Sequence, residues 1–208
     1  MTANGTENDE TDAHATPDLE GLFDPRSVAV VGASPDSFYS GNLVENLLDY
    51  GFDGDLYEVS GWHRHPTYNR LRADNIRRTL DRNGLELDED TRLIFSAHGT
   101  PTYYLDEGSR YVQYVEEYCD MVAGMLGYPD YELGYQNHAN RDVEWTQPDV
   151  EDVIEEVDAE RVVVDPTSFM HEQSETLSEL DVELREEAEE EGLGFTRVPV
   201  PYDDERFV

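Results

Sequence analysis

Short apolar runs alternate with longer, helix-patterned stretches along most of this 208-residue chain. The runs predict β-strands because they are short and rich in β-branched residues. The stretches between them repeat apolar residues every three or four positions, which is typical of amphipathic helices. This alternation predicts an α/β fold, a three-layer sandwich in which a mainly parallel sheet is covered on both faces. The predicted strands are 27–31, 55–59, 92–98, 131–136, 161–165 and 194–200, and the predicted helices are 41–51, 66–82, 109–126, 150–157 and 174–191.

Three parts of the chain differ in composition and pattern. Residues 1–17 contain no large apolar residue after Met1, so we expect this segment to be a mobile tail. Residues 18–60 contain a strand, a helix and a second strand, which together predict one βαβ unit. Residues 61–208 contain the remaining predicted strands and helices.

The charge balance is strongly acidic: 49 Asp and Glu residues stand against 14 basic residues, all arginine, for a formal net charge of −35. Such a field repels phosphates and anionic lipids, which argues against nucleic acid or membrane surfaces as partners. Hydrophobic residues still make up 38% of the chain, which is enough for a folded core. A folded, acidic, lysine-free chain indicates a halophilic source, where concentrated salt screens the repulsion.

The cellular compartment is indicated by the cysteine count and by the absence of apolar segments. Cys119 is the single cysteine, which excludes an internal disulfide and suits a reducing environment. No apolar run approaches the ~18 residues that a membrane helix needs, and the first residues lack the pattern of a signal peptide. We therefore expect a soluble, cytoplasmic protein.

Polar residues follow three of the predicted strands, at the edge of the sheet where ligands bind in this type of fold. They lie at 96–101, 135–138 and 165–169. His98 directly follows a strand and precedes a glycine, so its imidazole can reach a cleft. A histidine in this position can equally well cap a neighbouring loop.

Three glutamates follow the last of these polar segments at intervals of four residues, namely Glu175, Glu179 and Glu183. This spacing places them along one face of the predicted helix. Ten of the 21 residues from His171 to Glu191 are acidic. A solvated face of a salt-adapted helix is therefore the favoured explanation for any one of the three.

Four motifs occur in the order and spacing of a known family: LIFSAHGTP, GYQNHANRDVEWTQP, VVVDPTSFMHEQSETLSELD and FTRVPVPYDDERF. The sequence resembles the C-terminal half of ferrochelatases from about residue 62 to residue 208. The resemblance implies a chelatase-like single lobe and a lyase that inserts Fe(II) into a porphyrin in haem biosynthesis, with no cofactor required. It also implies catalytic roles for His98 and Glu175. The metal would be bound by His98, Glu175, Glu179 and Glu183.

The chemistry of metal insertion explains why these residue types are needed. Two N–H protons must leave the macrocycle, and a neutral imidazole can accept a proton or bind Fe(II) near neutral pH. A row of carboxylates can pass metal in or protons out. Tyr103, Tyr104 and Trp145 are candidates to pack on the flat ring, although aromatic residues in a buried core are commoner.

The sequence departs from the family pattern at three places, one of which is the family's Gly-Asp-Pro-Tyr motif, here GSRY at 108–111. Gln173 replaces the histidine of the family's SDH-x-ETL motif. Residues 18–60 stand where the family has its N-terminal lobe, and they resemble the start of the CoA-binding domain of NDP-forming acyl-CoA synthetases. We expect this βαβ unit to extend the sheet rather than to bind a cofactor. A homodimer or a separate protein would then supply the second lobe.

Two alternatives to an active chelatase stay open. A degenerate lobe would carry a tetrapyrrole or a metal without turnover, and a regulator would bind CoA or a nucleotide through the βαβ unit. The sequence does not distinguish protoporphyrin from other tetrapyrroles, or Fe(II) from Co(II) and Zn(II), because histidine and glutamate bind all three metals.

The net charge generates a prediction about stability. At −35, self-repulsion opposes the compact state in dilute buffer, and added salt screens it. We expect the melting temperature to rise substantially when KCl is increased from about 0.1 M to about 2 M, since the Debye length falls from roughly 10 Å to less than 3 Å. Circular dichroism at a series of KCl concentrations measures this directly. A flat profile would contradict the halophilic interpretation.

Overall fold

The computed structural model describes residues 20–32, 38–137 and 143–207. The expected tail at 1–17 and His138 of the second polar segment lie outside the described residues. Among the described residues, no helix is long and apolar enough to cross a membrane.

A four-stranded, fully parallel sheet forms the centre of the protein and confirms the predicted α/β class. The two central strands, 91–98 and 161–166, carry apolar residues on both faces, as expected for a sheet covered on both sides. The strands are β3 (Thr91–His98), β4 (Glu132–Gln136), β5 (Arg161–Pro166) and β6 (Gly194–Arg197). Their spatial order is β4-β3-β5-β6.

Helices connect these strands and cover both faces of the sheet. Most lie within two residues of their predicted bounds. The short helix after β3 was not predicted. The predicted helix 174–191 divides into a wide π-helix, with i→i+5 hydrogen bonds, and a regular α-helical last part. The helices are α3 (Pro66–Asn83), α4 (Thr102–Asp106), α5 (Tyr111–Leu126), α6 (Val150–Glu156), the π-helix (Glu175–Leu184) and α7 (Arg185–Glu190), and a 3₁₀ turn (Trp62–Arg64) precedes α3.

Two hydrophobic clusters, one on each face, follow from the two-residue alternation of side chains along a strand. In β3, Leu93 and Phe95 pack with α3 and α5, whereas Ile94 packs on the opposite face with α6, the π-helix and α7. In β5, Val163 and Val164 divide between the same two faces. The parity of a residue in these strands therefore determines which helices it meets.

A buried ion pair joins α3 to the end of β5. Arg72 Nη2 donates to Asp165 Oδ2 at 2.8 Å, and both side chains are almost completely removed from solvent. The same guanidinium donates to the carbonyl oxygens of Pro166 at 2.9 Å and Phe169 at 3.3 Å. Arg72 thus holds the turn that leaves β5, and this turn leads to the π-helix.

The βαβ unit forms as predicted but lies apart from the main sheet. It consists of β1 (Ser27–Val31), α2 (Phe38–Asp49) and β2 (Asp55–Val59), with a short helix α1 (Glu20–Phe23) before it. The expectation that its strands extend the main sheet is wrong, because in the described residues β1 and β2 pair in parallel with each other only. The sequence DLYEV of β2 places one carboxylate on each face of the strand (Asp55 and Glu58), whereas a strand inside a covered parallel sheet needs apolar residues on both faces.

The Arg72–Asp165 pair generates a stability prediction. Arg72→Met leaves the Asp165 carboxylate buried without a cation, and we expect a loss of about 3–5 kcal/mol in the free energy of unfolding. Arg72→Met combined with Asp165→Val removes both charges and should recover much of this loss. Urea unfolding in concentrated KCl measures both variants. A single variant as stable as the parent chain would contradict the assignment.

Candidate active site

The carboxyl end of β3 brings its polar residues to the face of the sheet that carries the π-helix. Ser96 and His98 have the parity of Ile94, which packs under that helix. Gln136, the last residue of β4, is the register partner of His98 and faces the same way. Asp165 has the opposite parity and pairs with Arg72 on the other face. Two of the three polar strand ends therefore direct strand side chains to this face, and the third contributes Ser168 from the turn after β5.

Three contacts fix the backbone and ring of His98. Its N–H donates to Ser168 Oγ at 2.7 Å, and its carbonyl oxygen accepts the Tyr111 hydroxyl at 2.7 Å. Burial raises the pKa of Tyr111 to about 12, which keeps the phenol protonated as a donor. The ring Nδ1 lies 2.6 Å from the carbonyl oxygen of Gly99, which can only accept, so Nδ1 carries a proton. The other ring nitrogen, Nε2, is directed towards the π-helix.

Glu175 meets His98 at the first residue of the π-helix. Glu175 Oε1 lies 3.1 Å from His98 Nε2, and the side chains are 19% and 36% exposed. The family resemblance implies catalytic roles for both residues, and the structure brings them into direct contact. Glu175 Oε2 accepts a hydrogen bond from the Gln173 amide. Gln173 therefore orients the carboxylate from the side opposite His98.

The His98–Glu175 contact has a simple electrostatic consequence. With Nδ1 protonated, Nε2 of a neutral ring and an ionised Oε1 both present lone pairs. Two acceptors at 3.1 Å are stable only with a cation between them, either one proton or one metal ion. The pair is therefore suited to exchange a proton for a metal.

Gln136 connects the sheet to the acidic helix. Its Oε1 accepts the Ser96 hydroxyl at 3.0 Å, and its Nε2 donates to the Glu175 carbonyl and to Glu179 Oε2, both at 3.1 Å. Gln136 belongs to one of the predicted polar strand ends, but its contacts with the π-helix were not predicted. The signal that could have identified it is its position at the end of β4, in register with His98.

The three glutamates of the π-helix differ in their surroundings. Glu175 and Glu179 contact the strand ends, whereas Glu183 is exposed and lies 3.4 Å from Ser178 Oγ. In the part of the chain that the structure describes, no three His, Cys, Asp or Glu side chains are arranged to hold a metal ion. The metal-binding role of the set His98, Glu175, Glu179 and Glu183 stays a prediction.

A groove of about 880 Å³ lies between α4, the start of α5 and the segment 143–152, and Trp145 is in its wall. Tyr103 and Tyr104 belong to α4 but do not line the groove, whereas Thr102 and Leu105 of the same helix do. The rings of the two tyrosines pack against each other at 4.3 Å. Tyr103 is 43% exposed, while Trp145 is largely buried. The three aromatic candidates thus lie in or beside one groove, and their role in binding stays a prediction.

The groove and the His98–Glu175 pair are separated by one loop. Neither His98 nor Glu175 lines the groove. The loop after His98 joins the groove wall through two mutual hydrogen bonds of Thr100 and Thr146, at 3.1 and 3.0 Å. Asn137, which follows Gln136, donates to the Thr146 carbonyl at 2.7 Å and lines the groove as well. A ligand in the groove would therefore lie next to the loop that carries His98.

The groove wall is acidic. Its lining includes the four carboxylates of Glu144, Asp149, Glu151 and Asp152. No basic residue lines it in the described part of the chain. Partial burial raises the pKa of Glu151, and the carboxylates of Glu187, Asp149 and Asp152 raise it further. This wall disfavours a ligand with many negative charges on the side that enters it.

Comparison with known proteins identifies what the chain is similar to. The family model described as ferrochelatase matches residues 39–208. The match begins inside α2, about 23 residues before the expected start at residue 62, and the comparisons lend no support to the resemblance to acyl-CoA synthetases.

Curated relatives agree with this family match. A ferrochelatase from Picosynechococcus sp. is 39% identical over 160 residues, which is 74% of this chain and 39% of the relative. A ferrochelatase from Thermosynechococcus vestitus is 40% identical over 156 residues, or 72% of this chain and 39% of the relative. The chain therefore spans about two fifths of the length of these relatives.

The close approach of Gly99 to Asn137 generates a prediction about the site. A Cβ at Gly99 would lie 1.7 Å from Asn137 Oδ1 and 3.0 Å from the Gln136 carbonyl oxygen. The Asn137 amide nitrogen donates hydrogen bonds to the Thr146 carbonyl and to Asp149, so the side chain cannot move aside without breaking them. We expect Gly99→Ala to destabilise the protein by about 1–3 kcal/mol in urea unfolding.

Gly124→Ala in α5 is the matched control for this variant. Its Cβ meets no atom within 4 Å, and alanine favours a helix by up to about 1 kcal/mol over glycine. Equal effects of the two substitutions would contradict the packing assigned to Gly99.

Proposed function

Because the chain belongs to the ferrochelatase family, we propose that it inserts Fe(II) into a porphyrin or a related tetrapyrrole, as a metal chelatase in haem biosynthesis. The observation that carries this proposal is the 3.1 Å contact between His98 Nε2 and Glu175 Oε1 at the carboxyl edge of the sheet. A pair that must hold one cation, and that can exchange a proton for a metal, matches the exchange that metal insertion requires.

The reaction replaces two pyrrole protons by one divalent metal ion. Binding of Fe(II) displaces to solvent the proton that His98 and Glu175 share at rest. As the metal passes to the ring, His98 Nε2 accepts one pyrrole proton, since Nδ1 is already committed to the Gly99 carbonyl. The Glu175 carboxylate accepts the other, and Gln173 holds its second oxygen in place during the transfer. Release of one of these two protons to solvent restores the resting pair. General acid–base catalysis of this kind contributes typically about 10²–10⁴-fold to a rate.

Fe(II) acts here as a substrate and must leave the site with the product. A closed four-ligand site would retain the metal, whereas one imidazole and one carboxylate hold it transiently. Glu179 and Glu183 continue along the π-helix from this pair, and we propose that they lead the metal in or the protons out.

The tetrapyrrole would occupy the groove beside Trp145, with Tyr103 and Tyr104 at its rim. A flat ring must be enclosed on both faces for water to be excluded, and this chain spans only about two fifths of the length of its curated relatives. We propose that a second copy of the chain, or a separate protein, covers the other face. The acidic, lysine-free composition supports a salt-rich cytoplasm as the location.

Anaerobic metallation tests the proposal. The purified protein in concentrated KCl is mixed with Fe(II) and one ring at a time: protoporphyrin, coproporphyrin or a sirohydrochlorin-type ring. The metallated product is followed by its Soret band. We expect turnover of one of these rings, and a decrease of about 100-fold or more in His98→Ala and in Glu175→Gln, because each removes a proton acceptor.

His65→Ala is the control, since His65 is exposed in the same lobe and lies outside the site. An active His98→Ala variant would show that the catalytic role is assigned to the wrong residue. Tight binding of a ring without any turnover would favour the alternative of a non-catalytic carrier.

A further inference from the structure

Arg197, the last residue of β6, connects two carboxylates that lie on either side of Glu175 along the chain. Arg197 Nε and Nη2 donate to the two oxygens of Asp181 at 2.7 and 2.8 Å. Arg197 Nη1 donates to Glu172 Oε1 at 3.0 Å. The guanidinium is only 9% exposed, so these contacts are shielded from solvent.

The two carboxylates belong to the segment that carries Glu175 and Glu179. Glu172 lies three residues before Glu175, and its Oε1 also accepts the backbone N–H of Val200 at 2.9 Å. Asp181 lies in the middle of the π-helix. One side chain therefore joins the start and the middle of this segment to the strand β6.

A second attachment holds the same segment from the other edge of the sheet. Gln136 at the end of β4 donates to the Glu175 carbonyl and to Glu179 Oε2. In the order β4-β3-β5-β6, Gln136 and Arg197 belong to the two outer strands. The segment with Glu175 and Glu179 is thus fixed across the carboxyl edge from both sides, with His98 between the two attachments.

We propose that Arg197 is a positioning residue that holds Glu175 and Glu179 at the distance from His98 at which a divalent metal ion binds. This inference rests on the proposed function of that site. The π-helix is a rare conformation that side-chain contacts must stabilise, and the fork of Arg197 supplies two such contacts at once. Although burial opposes the charged form, Asp181 and Glu172 raise the pKa of Arg197 above its ordinary value.

A positioning role and a purely electrostatic role predict effects of opposite sign. Removal of a cation from the neighbourhood of a divalent metal ion should by itself tighten metal binding, because repulsion is lost. Removal of a positioning residue should weaken binding, because the ligands move apart. The direction of the change in metal affinity therefore separates the two roles.

The test uses Co(II) alone, without tetrapyrrole, on the full chain in concentrated KCl. Co(II) affinity is measured by calorimetry, and its visible absorption reports the ligand geometry. For Arg197→Met we expect affinity to fall by about tenfold or more, as for other residues that orient metal ligands, with a changed absorption spectrum. Arg197→Lys keeps the charge but cannot donate the paired hydrogen bonds of the guanidinium. It should therefore fold even where the methionine variant does not, and its Co(II) affinity should lie between those of the parent chain and Arg197→Met.

Arg185→Met is the matched control. Arg185 Nη2 also approaches Asp181, at 3.7 Å, and its guanidinium packs on Phe195 of β6, but it contacts none of the residues before the π-helix. We expect its Co(II) affinity and spectrum to match the parent chain. Melting temperatures of all variants are measured in parallel.

The outcomes distinguish this inference from the proposed function. Unchanged or tighter Co(II) binding in folded Arg197→Lys and Arg197→Met overturns the positioning role, whatever the turnover. Weaker binding in the Arg197 variants together with no turnover in the parent chain supports the positioning role and defeats the proposed function. Where turnover occurs, the Arg197 variants should raise the KM for Fe(II) and leave the KM for the tetrapyrrole nearly unchanged.

Discussion

The alternation of side chains between the two faces of the central parallel sheet is the constraint on which the site depends. At the ends of β3 and β4 it directs His98 and Gln136 to the face of the π-helix, where they meet Glu175 and Glu179. At the end of β5 it directs Asp165 to the opposite face, where Arg72 neutralises it. One face of the carboxyl edge therefore carries the candidate active site, and the other anchors the turn that leads to it.

Charge has different roles in different parts of this acidic chain. Most carboxylates of the described residues are exposed, where they interact with salt and water. Those near the site are distinguished by fixed polar partners: Glu175 has His98 and Gln173, and Glu179 has Gln136. A carboxylate held in this way loses little freedom when it binds a cation, which is the physical advantage that the solvated glutamates lack.

The strands and most helices could be predicted because their apolar periodicity is strong. The π-helix could not, since spacings of four residues fit a regular helix as well as a wide one, and its form depends on contacts with Gln136 and Arg197. Helix α4 was missed because its five residues are too short for a periodic pattern. The separation of the βαβ unit from the main sheet was missed because periodicity identifies strands without specifying their neighbours.

The sequence by itself determined the α/β class, the family resemblance and the candidate pair, His98 and Glu175, because each follows from a local pattern or from motif spacing. Only the tertiary structure decided how this pair is held. The proton on Nδ1 depends on the Gly99 carbonyl, and the carboxylate orientation depends on Gln173. The attachments through Gln136 and Arg197 join residues 39 and 16 positions apart. Such contacts arise from the packing of strand ends against a helix, and no local pattern in the sequence encodes them.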